Sequence, residues 1–241
     1  MPIKRLEDLK ISIYADGADF KSIVELNQNP LIKGFTTNPT LMKKAGIKNY
    51  RNFAIEILEL IKDKNISFEV FADDLFEMED QAREIASWGQ NVNVKIPVTN
   101  TKGIETTNII SNLSKSNIVC NVTAVFTLEQ HKKIINAIKD NTPAIVSIFA
   151  GRIADTGIDP VPLMKKACEI SKEKTNIKLL WASPRELLNI YQAEETGCHI
   201  ITVANDLLNK INLIGKNLEE FSLETVSMFY RDANKAGYKI Y

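Results

Sequence analysis

Eight short runs rich in apolar and β-branched residues recur along this 241-residue chain, at 11–16, 34–38, 66–72, 92–98, 117–124, 144–151, 178–183 and 199–204. Longer stretches of helical period stand between them, among them 75–88, 128–139, 162–174 and 185–195. Parallel strands need a crossover to return the chain to the same end of the sheet, and a helix usually supplies it. Eight such units in a chain of this length predict an α/β protein, a single (β/α)8 TIM barrel over residues 1–241. A doubly wound open sheet is the alternative, but it calls for a glycine-rich phosphate turn after the first strand. The residues there, Asp16-Gly-Ala-Asp-Phe20, lack that pattern. One more helix, at 223–234, follows the last strand, and Leu223, Val226, Phe229, Tyr230 and Ala233 share one of its faces. It makes 222–241 a C-terminal helical extension that either docks on the barrel or caps a neighbouring subunit, and we expect the second.

Charge and cysteine content narrow the function classes. Thirty Lys and Arg balance 30 Asp and Glu, which argues against a nucleic-acid or membrane partner. The N-terminus shows no apolar signal core and no run is long enough to span a bilayer, so a cytoplasmic protein is expected. Cys120, Cys168 and Cys198 are odd in number and far apart, which does not suggest a disulfide framework. With two histidines and no ligand-spaced cysteine pair, a zinc site has little support.

Within each run, side chains of one parity are apolar and are assigned to the helix layer; the other parity then faces the barrel interior. The inward set reads Ser12, Tyr14 and Asp16, then Thr36 and Asn38, then Ser67, Glu69 and Phe71, then Lys95. It continues with Asn121 and Thr123, Ser147 and Phe149, and Trp181 and Ser183. Barrel interiors are normally filled by Val, Ile and Leu, with active sites at the C-terminal mouth. A polar lining that includes a lysine and two carboxylates is costly unless it binds something.

Lys95 is the sharpest of these. It lies in Val92-Asn-Val-Lys-Ile-Pro-Val98, flanked by apolar residues. Desolvation disfavours an ammonium group there, and a neutral amine condenses with carbonyls to form a Schiff base. The alternatives are a lysine that snorkels outward, or one paired with Glu69 or Asp16. An imine formed with a ketose is an electron sink that allows a carbon–carbon bond two atoms away to break. Asp16, at the end of a strand, suits removal of the hydroxyl proton, and Glu69 with Thr123 holding a water suits the proton shuttle. Asn38, Asn121 and Ser147 offer neutral hydrogen bonds to a polyol. Arg152 and Arg185, just beyond the sixth and seventh runs, form a candidate phosphate site.

These residues match a family. Gly34-Phe-Thr-Thr-Asn-Pro-Thr-Leu-Met42 resembles the transaldolase signature, and Val94-Lys-Ile-Pro-Val98 resembles that family's Schiff-base segment. Asn121-Val-Thr123, Ser147-Ile-Phe-Ala-Gly-Arg152 and Ala182-Ser-Pro-Arg185 follow in the family's order, so the similarity spans about 13–204. The resemblance implies a class I aldolase barrel with the imine lysine, Lys95, on strand four. It implies Asp16, Glu69 and Thr123 as its catalytic partners. Asn38, Asn121, Ser147, Phe149, Arg152, Ser183 and Arg185 would bind substrate. The reaction implied is transfer of a dihydroxyacetone unit from a ketose phosphate to an aldose phosphate, with no metal or cofactor. The setting implied is carbohydrate metabolism of the pentose phosphate kind, in a homo-oligomeric ring, a pentamer or decamer. The alternatives are a fructose-6-phosphate aldolase-like lyase that releases free dihydroxyacetone, and a non-catalytic sugar-binding barrel. The aldolases of this superfamily use glutamine and tyrosine where this chain has Glu69 and Phe149, which favours the transferase. Trp181 and Pro184 depart from the family pattern beside the expected phosphate site, and the donor and acceptor sugars stay open.

Overall fold

A computed structural model describes residues 4–241; the first three residues, assigned above to the same unit, lie outside the described residues. Eight strands form: β1 (Ser12–Asp16), β2 (Ile32–Thr36), β3 (Asn65–Glu69), β4 (Val92–Pro97), β5 (Cys120–Val125), β6 (Ala144–Ile148), β7 (Ile177–Trp181) and β8 (Ile200–Ala204). All pair in parallel and in chain order, and β1 also pairs with β8, so the sheet closes into a barrel. Closure removes the edges an open sheet would have and excludes the doubly wound alternative.

The helices are α1 (Phe20–Asn27), α2 (Pro39–Lys44), α3 (Tyr50–Leu60), α4 (Leu75–Ala86), α5 (Thr107–Lys115) and α6 (Leu128–Ala137). The remainder are α7 (Ala150–Asp155), α8 (Val161–Ser171), α9 (Leu188–Glu195), α10 (Asn205–Leu208) and α11 (Leu218–Ala236). Local chemistry sets several starts. Asn38 caps α2 by accepting from the Leu41 N–H, with Pro39 in the first turn. Asp74 caps α4, and Thr127 with Gln130 forms a capping box on α6. The last helix starts five residues before the expected 223, because Asn217 caps it and Glu219 and Glu220 complement the positive end of its dipole.

Two apolar layers hold the barrel. Outward strand residues such as Ile13, Phe35, Phe68, Ile96, Val122 and Val146 merge with the helix faces into one continuous core. Inside, Tyr14, Ile145, Leu180 and Ile200 form a smaller cluster contributed by β1, β6, β7 and β8. The strands that face them, β3 to β5, contribute the buried polar residues Ser67, Asn93, Lys95 and Asn121.

Two inward assignments are corrected. Trp181 is fully buried, but it packs in the outer layer; Leu180 and Ala182 are the β7 residues that face inward. The run Lys178-Leu-Leu-Trp-Ala is apolar at both parities, so alternation could not orient it. Phe71 lies beyond the end of β3, is 51% exposed and stacks on Tyr50 outside the barrel. The α11 helix buries no residue; Leu223, Val226, Phe229 and Tyr230 are all exposed, so its apolar face does not dock on this chain's barrel. No helix among the described residues is long and apolar enough to cross a membrane.

Candidate active site

The C-terminal ends of the strands enclose a cavity of about 380 Å³. Lys95 reaches it from β4. Its register partners are Glu69 on β3 and Asn121 on β5, so three inward polar side chains share one level of the barrel. The lysine is 7% exposed. Its Nζ lies 3.1 Å from Glu69 Oε2 and donates to the Thr37 carbonyl at 2.7 Å. Of the alternatives open to the sequence, the free chain therefore holds the amine in an ion pair with Glu69, inside the cavity. Two acceptors around a buried ammonium repay part of its desolvation.

Asp16 ends β1 on the cavity wall. The Thr36 hydroxyl donates to its Oδ1 at 2.7 Å. That uses the single proton Thr36 has, so the proton between the Thr36 and Thr202 oxygens, 2.5 Å apart, comes from Thr202. Burial pushes the Asp16 carboxyl above the usual carboxylate range; the Lys95 charge and the Thr36 bond pull it down, and the Glu69 charge adds to the rise.

A second relay crosses the polar side. Ser147 Oγ donates to Asn121 Oδ1 at 2.6 Å, and Asn121 Nδ2 donates to Ser67 Oγ at 3.0 Å. The Asn121 amide is fixed in one orientation by a donor on one side and an acceptor on the other. Next to it, the buried Thr123 hydroxyl has no hydrogen-bond partner among the described residues. Leaving such a group unpaired costs about 1–3 kcal/mol unless the cavity's contents satisfy it. The Asn38 oxygen is committed to capping α2, which leaves its N–H groups for the cavity.

Two residues on the cavity wall adopt backbone conformations rare outside glycine: Ala124 (φ 57°), where the β5–β6 register shifts, and Ser183 (φ 58°), just past β7. Such strain persists where the surroundings over-determine it, often at functional sites. At Ser183 the surroundings include Gly151, where a Cβ would sit 1.5 Å from the Ser183 carbonyl oxygen. Only glycine lets the loop after β7 close onto the start of α7. That helix carries Arg152 to the cavity, with its guanidinium 5.3 Å from the centre of the Phe149 ring.

Of the eleven site residues expected from sequence, ten line this cavity: Lys95, Asp16, Glu69, Thr123, Asn38, Asn121, Ser147, Phe149, Arg152 and Ser183. Arg185 does not. Its Nε donates to Asp155 Oδ1 at 2.9 Å and its Nη2 bonds the other carboxylate oxygen, in a pair outside the lining. The Asp155 carboxyl is held below its ordinary value, first by the hydrogen bond from Arg185. Sequence reasoning missed Thr202, which a lone polar residue at the centre of Ile200-Ile-Thr-Val-Ala204 would have signalled. It also missed the Thr37 carbonyl, for which sequence carries no signal.

Residues 13–240 match the family model described as Transaldolase/Fructose-6-phosphate aldolase. A "Probable transaldolase" of Dehalococcoides mccartyi is 38% identical over 81% of this chain and 88% of that protein. One from a Thermoanaerobacter species is 32% identical over 95% of this chain and 100% of its own length, and one from Streptococcus pyogenes is 33% identical over 83% and 90%. Among solved structures, 2,3-dimethylmalate lyase, a PEP mutase/isocitrate lyase superfamily member, superposes with a TM-score of 0.56 at 11% identity, over 98% of this chain and 87% of that one. At that identity the likeness concerns the fold alone.

Proposed function

Because this chain belongs to the transaldolase/fructose-6-phosphate aldolase family, we propose that it is a transaldolase-type transferase that works through a Schiff base on Lys95. The observation that carries this reading is the buried Lys95 Nζ, 3.1 Å from Glu69 and in one cavity with Asp16. Glu69 takes the ammonium proton, and the neutral amine adds to the ketose carbonyl. The carbinolamine loses water, with Glu69 returning the proton and Thr123 holding the water. Asp16 then removes the hydroxyl proton from the departing carbon. The carbon–carbon bond breaks, its electrons flow into the iminium, and an aldehyde leaves a three-carbon enamine on Lys95. Addition to an acceptor aldehyde reverses these steps.

Asn38, Asn121 and Ser147 bind the dihydroxyacetone unit in this reading, and Ser183 and Phe149 line the pocket beside it. Arg152 faces the cavity and meets the phosphate; Arg185 joins after leaving Asp155. Glu69 and Phe149, in place of glutamine and tyrosine, support transfer over release of free dihydroxyacetone. We read residues 1–241 as one cytoplasmic domain of a homo-oligomeric ring, with 222–241 as the extension that caps a neighbouring subunit.

Borohydride added with fructose 6-phosphate should leave a reduced three- or six-carbon adduct on Lys95, seen by mass spectrometry. An unchanged mass would end the imine reading and favour a sugar-binding barrel. Adding erythrose 4-phosphate should raise donor consumption steeply. Equal release of dihydroxyacetone with and without acceptor would favour the lyase.

A further inference from the structure

β2 and β3 pair through Thr36 and Ser67. One further rung is half made, where the Thr37 N–H donates to the Ser67 carbonyl at 3.1 Å. A regular parallel ladder would complete it with the Glu69 N–H donating to the Thr37 carbonyl. Here the Glu69 N–H instead donates to Tyr50 Oη at 2.7 Å, and the Tyr50 hydroxyl donates to the Glu69 carbonyl at 3.0 Å. A side chain from the first residue of α3 thus stands where the next strand residue would be. The Thr37 carbonyl, left over, is the one that accepts from Lys95 Nζ. The Tyr50 ring is wedged in place by Phe68, Phe71 and Trp88, with ring centres 6.0, 4.6 and 5.4 Å away.

We propose that Tyr50 is a positioning residue for the lysine. By occupying both backbone groups of Glu69 it keeps the Thr37 carbonyl free for Lys95 Nζ and fixes the Glu69 carboxylate beside it. Without the hydroxyl, the vacated N–H of Glu69 faces the Thr37 carbonyl, and the ladder zips up one rung further at the lysine's expense. This inference rests on the reading of Lys95 as the imine former.

Tyr50→Phe tests it. The variant keeps the aromatic stack and offers the Glu69 N–H an alternative acceptor, so it folds. Its crystal structure should show the Glu69 N–H bonded to the Thr37 carbonyl and Lys95 Nζ displaced from it. The kcat for transfer should fall about tenfold or more with KM changed less than about twofold, since misplacing a reacting group costs turnover more than binding. In a Glu69→Gln background the same change should still cost turnover, because the hydroxyl holds the backbone N–H and carbonyl of residue 69, which that variant keeps. A Tyr50→Phe structure that retains the Thr37–Lys95 contact, or a variant whose kcat is unchanged, would overturn the proposal. If the unaltered protein yields no borohydride adduct, the imine reading fails by itself, and the crystallographic arm still decides what Tyr50 holds.

Discussion

Thr36→Val keeps the branched shape of the side chain and deletes the proton that Asp16 receives at 2.7 Å. That bond favours the ionised carboxylate, so its loss raises the pH at which Asp16 gives up its proton, adding to the rise that burial already causes. A hydrogen bond to a charged group contributes about 1.5–3 kcal/mol, and about 1.4 kcal/mol moves a titration by one pH unit. The acid limb of kcat/KM should therefore climb by about one to two pH units. Thr202→Val removes only the donor into Thr36, 2.5 Å away, so its effect has the same sign and is smaller. The assay is the initial rate of transfer from fructose 6-phosphate to erythrose 4-phosphate across the pH range for all three proteins. The comparison is of the limb's displacement between the three proteins, not of its absolute position. An acid limb that stays put in Thr36→Val, or moves to lower pH, would refute the proposed direction of the relay.

Three further outcomes are expected. Lys95→Met should abolish both turnover and borohydride adduct while the barrel still folds by circular dichroism; any adduct with ketose would relocate the imine. Asp155→Asn should lower KM for a phosphorylated donor by up to about fivefold, the range of an exposed ion pair, by releasing Arg185 toward the cavity; a raised KM would mean that Asp155 presents Arg185 instead of withholding it. Burial pushes His131 from its ordinary 6.5 down to about 4. Between those values the unfolded chain binds a proton that the folded one does not, so stability drains away as pH falls through that window, by about 3 kcal/mol in all. His131→Gln should flatten that slope, and thermal melts from pH 7 to pH 4 that fall in parallel for the two proteins would count against it.

Much of the site was legible because strand alternation is a strict geometric rule. Once Val92, Val94 and Ile96 are assigned to the helix layer, Lys95 has to point inward, and the same logic places Glu69, Asn121 and Ser147 beside it. Legibility ended where side chains stopped obeying that rule. In β7 both parities are apolar, so Trp181 was oriented the wrong way. Past Glu69 the chain leaves the sheet, so Phe71 turned outward. Ser183 reaches the cavity through a left-handed backbone step that alternation cannot express.

Pattern and composition thus determined an eight-stranded α/β fold and which face of most strands is polar, because both follow from local periodicity. Only the closed barrel decided which polar groups pair. The Lys95 contact to the Thr37 carbonyl, the Tyr50 hydroxyl standing in for a strand residue and the Arg185–Asp155 pair join positions 58, 19 and 30 residues apart. Distances and directions between such groups are set by strand tilt, register and where each strand ends, and these exist only once the sheet has closed on itself.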